Sequence, residues 1–232
     1  MGRIFVIGDT HRDVRTFAEI LLTYEVEENT LNKDDYVIVC GDFGFIWDSQ
    51  TSKDNYWLDW INSLPWTTLF IVGNHENFTL INNYPITEWH GGRVHKIRDS
   101  VIHLMTGEVF DINQKKFFCF GGGLSVDKAY RIPYKSWWPE EIPSQEEYNN
   151  AVKNLESINW TPDYIITHVM PDAYAKEFYG GRYIPGDKAS YMCNDWLLQC
   201  HGYIKWYCGH YHCDAAMRPD FQICYKNIYE VM

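Results

Sequence analysis

Five short apolar runs, each broken off by a cluster of polar residues, constrain this chain more than any other feature. Arg3-Ile-Phe-Val-Ile7 runs into Gly8-Asp-Thr-His11, and Tyr36-Val-Ile-Val-Cys40 into Gly41-Asp-Phe-Gly44. Leu69-Phe-Ile-Val72 meets Gly73-Asn-His-Glu76, Tyr164-Ile-Ile-Thr167 meets His168, and Tyr203-Ile-Lys-Trp-Tyr-Cys208 meets Gly209-His-Tyr-His212. Runs this short and this apolar read as strands buried on both faces. Between the first two, Val14, Phe17, Leu21 and Tyr24 recur at helical spacing. Strand, helix, strand is the repeating unit of a layered α/β fold. Ligands of open α/β sheets gather beyond the carboxyl ends of the strands, which is where all five clusters fall.

The pattern changes between residues 86 and 124. Val94 to Ile97, Val101 to Met105, Glu108 to Ile112 and Lys116 to Phe120 predict antiparallel hairpins without intervening helices. Ser144-Gln-Glu-Glu147 has the form of a capping box. It opens a predicted helix whose Tyr148, Val152, Leu155 and Ile158 share one face, and another helix is expected over Tyr191 to Cys200. No linker, repeat or low-complexity tract interrupts residues 1–232, so the reading is a single domain.

Twenty Lys and Arg against thirty-one Asp and Glu leave a formal charge of −11. Such a surface repels a phosphate backbone, which argues against broad nucleic-acid binding; a small phosphorylated substrate stays open, because bound metals reverse the local field. No signal peptide and no apolar stretch of membrane-spanning length is visible, so the expected location is the cytoplasm, without membrane attachment. The seven cysteines include no C-x-x-C pair. Cys40, Cys119 and Cys208 read as small buried hydrophobes. A rival reading joins Cys208, His210, His212 and Cys213 into a structural zinc site, although zinc ligands usually come as two separated pairs.

The polar clusters carry metal-ligand chemistry. Asp9 and His11, two apart at a strand end, are expected to project to the same side, as are the imidazoles of His210 and His212. Asp42 has two carboxylate oxygens and is the candidate bridge between two metals. Asn74 and His75 are neighbours on extended backbone and should point apart. If the Asn74 carbonyl oxygen binds metal, His75 is left free for proton transfer. His168 alone is ambiguous between a ligand and a hydrogen-bonded core histidine. The conjunction decides: packing alone does not place Asp, Asn and His at the ends of five separate strands.

At these residues the chain resembles the calcineurin-like metallophosphoesterases, whose ordered blocks are D-x-H, G-D, G-N-H-D/E, H and G-H-x-H. The resemblance spans residues 5–212 and implies a four-layer αββα sandwich with two mixed β-sheets. It also implies that Asp9, His11, Asp42 and His212 bind one metal, that Asp42, Asn74, His168 and His210 bind the other, and that His75 is the general acid. Gly121 to Arg131, followed by Trp137-Trp138-Pro-Glu140, is similar to small bacterial and phage members. Asp42 is followed by Phe43-Gly44-Phe45-Ile46 where Ser/Thr protein phosphatases and symmetrical dinucleoside tetraphosphate hydrolases have Asp-Arg-Gly, which argues against both activities.

The expected reaction is hydrolysis of a phosphomonoester or phosphodiester, by in-line attack of a hydroxide held between the metals. Nitrogen and oxygen donors favour Mn, Fe, Zn, Co or Ni over Ca. The expected partner is a small phosphorylated molecule, nucleotides included. Arg131 is a candidate phosphate clamp and Trp138, with Trp137 and Tyr134, a candidate stacking surface. Arg182 reads first as a surface ion pair, and His90, His95 and His103 as structural. The alternatives are a nuclease or protein phosphatase, which would want an open or basic groove, and a non-catalytic scaffold, which the complete ligand set argues against.

Overall fold

Alternate residues of the first predicted strand face two different cores, and the rest of the architecture follows from that alternation. Ile4 and Val6 enter one apolar cluster while Phe5 and Ile7 enter another, and Tyr36, Ile38 and Cys40 part from Val37 and Val39 in the same way. Phe117 and Cys119 likewise part from Phe118 and Phe120. A computed structural model describes residues 2–25, 31–48, 52–183 and 185–231. The order begins β1 (Ile4–Ile7), α1 (Arg15–Ile20), β2 (Tyr36–Val39), α2 (Ser52–Ser63), β3 (Thr67–Phe70), α3 (Phe78–Ile81), β4 (Ile86–Trp89), β5 (Gly92–Arg98), β6 (Val101–Leu104), β7 (Glu108–Ile112) and β8 (Lys115–Phe120). It continues α4 (Gln145–Ser157), β9 (Tyr164–Thr167), α5 (Asp172–Tyr179), α6 (Lys188–Gln199), β10 (Lys205–Cys208), β11 (Ala215–Arg218), β12 (Phe221–Ile223) and β13 (Tyr229–Val231).

Two mixed sheets result. One runs β13-β1-β2-β3-β6-β5-β4 and the other β11-β12-β10-β9-β8-β7. Strands β1, β2, β3 and β6 are mutually parallel, as are β8, β9, β10 and β12, and antiparallel strands close the margins. The cluster between the sheets takes Val6, Ile38, Leu69 and Ile102 from one and Phe117, Ile166 and Tyr207 from the other. Outside the first sheet lie Phe17 of α1, Leu58 and Ile61 of α2 and Phe78 of α3; outside the second lie Leu155 of α4, Ala175 of α5 and Trp196 of α6. Helices, sheet, sheet, helices is the four-layer αββα sandwich.

The first helix is shorter than its apolar spacing suggests, because after Ile20 the chain widens into a π-helical turn over Leu21–Glu25. The region of hairpins also needs a correction. Its three hairpins are divided between the sheets, β4 with β5 and β5 with β6 in one and β7 with β8 in the other, and β6 and β8 each add a parallel contact to β3 and β9. The chain crosses between the sheets at Thr106-Gly107, where Gly107 has φ +82° and a Cβ would press on the Glu147 carbonyl and on Ala151 of α4. The capping box is present in both directions between Ser144 and Glu147, an arrangement worth about 0.5–2 kcal/mol. Helix α6 starts before Tyr191 because the Asp187 side chain accepts from the Ala189 and Ser190 N–H groups. Among the described residues, no helix is long and apolar enough to cross a membrane.

Candidate metal centre

The loops that follow β1, β2, β3, β9 and β10 meet at one end of the sandwich, fastened first by their backbones. The His11 N–H donates to the Asp42 carbonyl at 2.8 Å, Arg12 N–H to the Phe43 carbonyl at 3.2 Å, and Gly209 N–H to the His168 carbonyl at 3.0 Å. Two glycines make the approach possible. A Cβ on Gly73 would overlap the Asp42 carboxylate, and one on Gly209 the Asp9 carboxylate. Four of the predicted ligands pay for their positions in backbone conformation: His11, Asp42, His210 and His212 have φ of 45°, 49°, 67° and 48°. Non-glycine residues held there cost about 1–3 kcal/mol each, and such strain clusters at functional sites.

This backbone changes the reason the ligands meet. Strand alternation is not what aims them, because β1 ends at Ile7 and β10 at Cys208. Asp9 and His11 do converge, with Oδ2 3.8 Å from Nε2. His210 and His212 do not share a side. His210 Nδ1 lies 2.9 Å from Asn74 Oδ1 and 3.3 Å from His168 Nε2, whereas His212 Nε2 lies 2.9 Å from His11 Nε2 and 3.2 Å from Asp9 Oδ2. The left-handed turns send the two imidazoles into different halves of the cluster. Asp42 stands between those halves, Oδ2 3.6 Å from His11 Nε2 and Oδ1 3.6 Å from His168 Nε2.

Groups that can hold a cation follow from this geometry: Asp9, His11 and His212 in one place, and Asp9, Asp42 and His168 in another. The chemistry of the second place fits a metal closely. His168 Nδ1 donates to the Cys40 carbonyl at 2.8 Å, which leaves Nε2 turned inward. Asn74 Nδ2 donates to Ser125 Oγ at 3.1 Å, which turns Oδ1 inward as well. These two acceptors lie 3.0 Å apart, next to a carboxylate. Lone pairs gathered at that distance are stabilised by a cation.

Charge is tuned in the same direction. Burial pushes the Asp9 carboxyl up, but the His212 ring, His168 and the His210 N–H outweigh it and hold it below the usual range. Burial, with His168 beside it, pushes His210 down to about 4, which keeps the ring neutral and able to bind metal. The hydrogen bond to Asp9 raises His212.

Asn74 and His75 lie in a bend and not on extended backbone, so strand alternation does not set their directions. The His75 N–H donates to Asp42 Oδ1 at 2.7 Å and its ring stands edge-on to His11. Burial lowers its basicity, the Asp42 charge opposes that, and Arg131 and His11 add to it. Arg131 is held by protein groups: Asp127 takes Nε and one NH2 proton at 2.8 Å each, the Ser136 carbonyl takes NH1, and the guanidinium runs along both ring nitrogens of His75. It supports His75 in this arrangement and has little left for a phosphate. Trp138 is not brought to the centre. It is 2% exposed, packs in the outer core against Trp47 and donates to Thr79 Oγ1. Cys208 faces the core of the second sheet, so the cysteine–histidine zinc arrangement is not formed.

Sequence reasoning passed over three supports. Glu76, 1% exposed, accepts from Phe43 N–H at 2.6 Å and Gly44 N–H at 3.3 Å, and burial beside Asp42 raises it well above the usual carboxyl range. Its signal was the acid that ends the Gly73–Glu76 block. Ser125 and Glu141 form the others. Ser125 donates its hydroxyl proton to the buried Glu141 carboxylate, so its oxygen is free to accept from Asn74 and fixes which end of that amide faces inward. These two residues are far from the metal blocks in sequence, and nothing in their own spacing marks them.

The sequence profile of the calcineurin-like phosphoesterases matches residues 2–214. No curated protein sequence matches the chain significantly. A family match of that extent settles membership: the chain belongs to the calcineurin-like phosphoesterases, with metal-dependent hydrolysis of phosphate esters as its general chemistry.

Proposed function

We propose that this chain hydrolyses a small phosphate ester at two divalent transition-metal ions, Mn, Fe, Zn, Co or Ni. Asp9, His11, Asp42 and His212 would hold one ion and Asp42, Asn74, His168 and His210 the other. The observation that carries this reading is the convergence of two lone-pair acceptors, Asn74 Oδ1 and His168 Nε2, 3.0 Å apart beside Asp42. When bound, such ions supply positive charge for the phosphoryl oxygens and lower the pKa of water.

The protein's own part is positioning and proton transfer. Asp42 turns one oxygen to each half, and its Oδ1 also anchors the backbone of His75. His75 is the general acid of this reading, giving its proton to the leaving oxygen, a role worth roughly 10²–10⁴ in rate. Arg131 and Asp127 hold its ring in place. Seven free thiols, six of them buried, suit the reducing cytoplasm. The test is metal content and hydrolysis together. Purified protein should carry two equivalents of transition metal after Mn²⁺ loading and cleave p-nitrophenyl phosphate esters. Protein that binds no metal and cleaves no ester would falsify the reading.

A further inference from the structure

Three cavities lie in a row across the centre. The middle one, about 230 Å³, is walled by Asp42, Asn74, His75, Asp127, His210 and His212 together with Leu124 and Val126. On one side it shares His75 with an open cavity of about 270 Å³ lined also by His11, Arg12, Gly44 and Trp47. On the other it shares Leu124, Val126 and His210 with a cavity of about 240 Å³ whose walls include Tyr179, Tyr183, Tyr211 and, as its one cationic residue, Arg182. The two outer cavities have no residue in common. Each alone is smaller than the roughly 300–1,000 Å³ of an ordinary ligand site, and the row as a whole falls within that range.

Charge distinguishes what the row can hold. No lysine or arginine lines the middle cavity, and Asp127 adds a negative charge to its rim. The nearest guanidinium, Arg131, is neutralised by that same Asp127. Arg12, in the His75 cavity, is paired with Asp48 and Asp54. Arg182 lines the tyrosine cavity and not the middle one, so a phosphomonoester dianion finds no protein cation in the middle cavity for its second charge. A diester carries one charge and two organic arms, which matches one charged middle and two flanks lined by aromatic rings.

We propose that the substrate is a phosphate diester with a flat organic group on each arm, the leaving arm lying in the Trp47 cavity and the retained arm against Tyr179, Tyr183 and Tyr211. This rests on the phosphoesterase reading above and deepens it. The assignment of arms follows from His75, which lines the Trp47 cavity and not the tyrosine cavity. In the reaction the oxygen of water bonds to phosphorus as the bond to the leaving oxygen breaks. One water proton goes to solvent and the other stays on the product phosphate. His75 protonates the leaving oxygen and is reprotonated from solvent, giving an alcohol and a phosphate monoester.

The test compares bis(p-nitrophenyl) phosphate with p-nitrophenyl phosphate on the Mn²⁺-loaded full chain. The diester should have a kcat/KM at least about ten-fold higher, and Tyr179→Ala and Trp47→Leu should each lower the diester-to-monoester ratio by about five-fold or more. Calorimetric titration of bis(p-nitrophenyl) phosphate into H75A should show binding that weakens when Tyr179→Ala is added, a readout independent of turnover. Circular dichroism checks that each variant is folded. A preference for the monoester, or a ratio and an affinity unmoved in folded variants, overturns the diester assignment while leaving the phosphoesterase reading standing. Hydrolysis of neither ester overturns both.

Discussion

The two halves of the centre are built from similar ligands but sit in very different surroundings. His168 is fully buried, tied by Nδ1 to the Cys40 carbonyl, and its neighbour Asn74 is fixed through Ser125 to Glu141. In the other half the His11 and His212 side chains are 33% and 52% exposed, and His212 stacks on the Tyr225 ring. Fixed partners behind a ligand set its orientation and raise its metal affinity. On the two-ion reading proposed above, the difference predicts one tightly kept ion and one that exchanges with solvent, with Asp42 common to both.

The largest expected effect comes from removing what the halves share. Asp42→Ala should lower hydrolysis of p-nitrophenyl esters by about a thousand-fold or more, since both halves and the backbone of His75 depend on that carboxylate. Activity near that of the unmodified protein would end the two-ion reading. Next is a chelator experiment. Metal release followed by a colorimetric indicator should be biphasic, His212→Ala removing the fast equivalent and His168→Ala the slow one; a single phase would erase the contrast between the halves. Ser125→Ala should then weaken only the slow equivalent, by roughly 10–100-fold, because the Asn74 amide loses the partner that orients it. Equal weakening of both equivalents would show that Ser125 acts through general packing.

The smallest expected effect on catalysis lies outside both halves. His103 is buried, stacks on Phe70 and meets His95 Nδ1 to Nδ1 at 2.9 Å, and burial pushes it from 6.5 down to about 3. Below pH 6.5 the unfolded chain takes up a proton there that the folded protein refuses. Its contribution to stability is therefore complete above pH 6.5 and is lost as pH falls toward 3. His103→Phe should flatten that part of the stability-against-pH curve in chemical denaturation and leave kcat unchanged. A curve as steep as before would place the acid sensitivity elsewhere.

Much of this was legible residue by residue. Each of the five apolar runs became a buried strand, and each polar cluster arrived at one end of the sandwich, because burial on both faces and the carboxyl-end rule are local consequences of pattern. The hairpins were visible as pairs, but their division between two sheets was not, since period-two patterning does not say which sheet a strand joins. Strands β11 and β13 went unread because they are short and partly exposed at the sheet margins, and buried β12 because three residues are too few to carry a pattern.

The sequence by itself determined where the apolar runs give way to polar clusters, and the types and order of the candidate ligands, since these depend on short-range chemistry. Only the tertiary structure decided how the ligands are shared. Left-handed backbone at His210 and His212 sends neighbouring imidazoles to opposite halves, where spacing alone put them together. The fold also turned Arg131 from a phosphate clamp into a support for His75, buried Trp138, and brought Ser125 and Glu141 behind Asn74. The physical reason is common to all of these. Donors are spent on whichever acceptors long-range packing brings near, and a linear sequence does not record those neighbours.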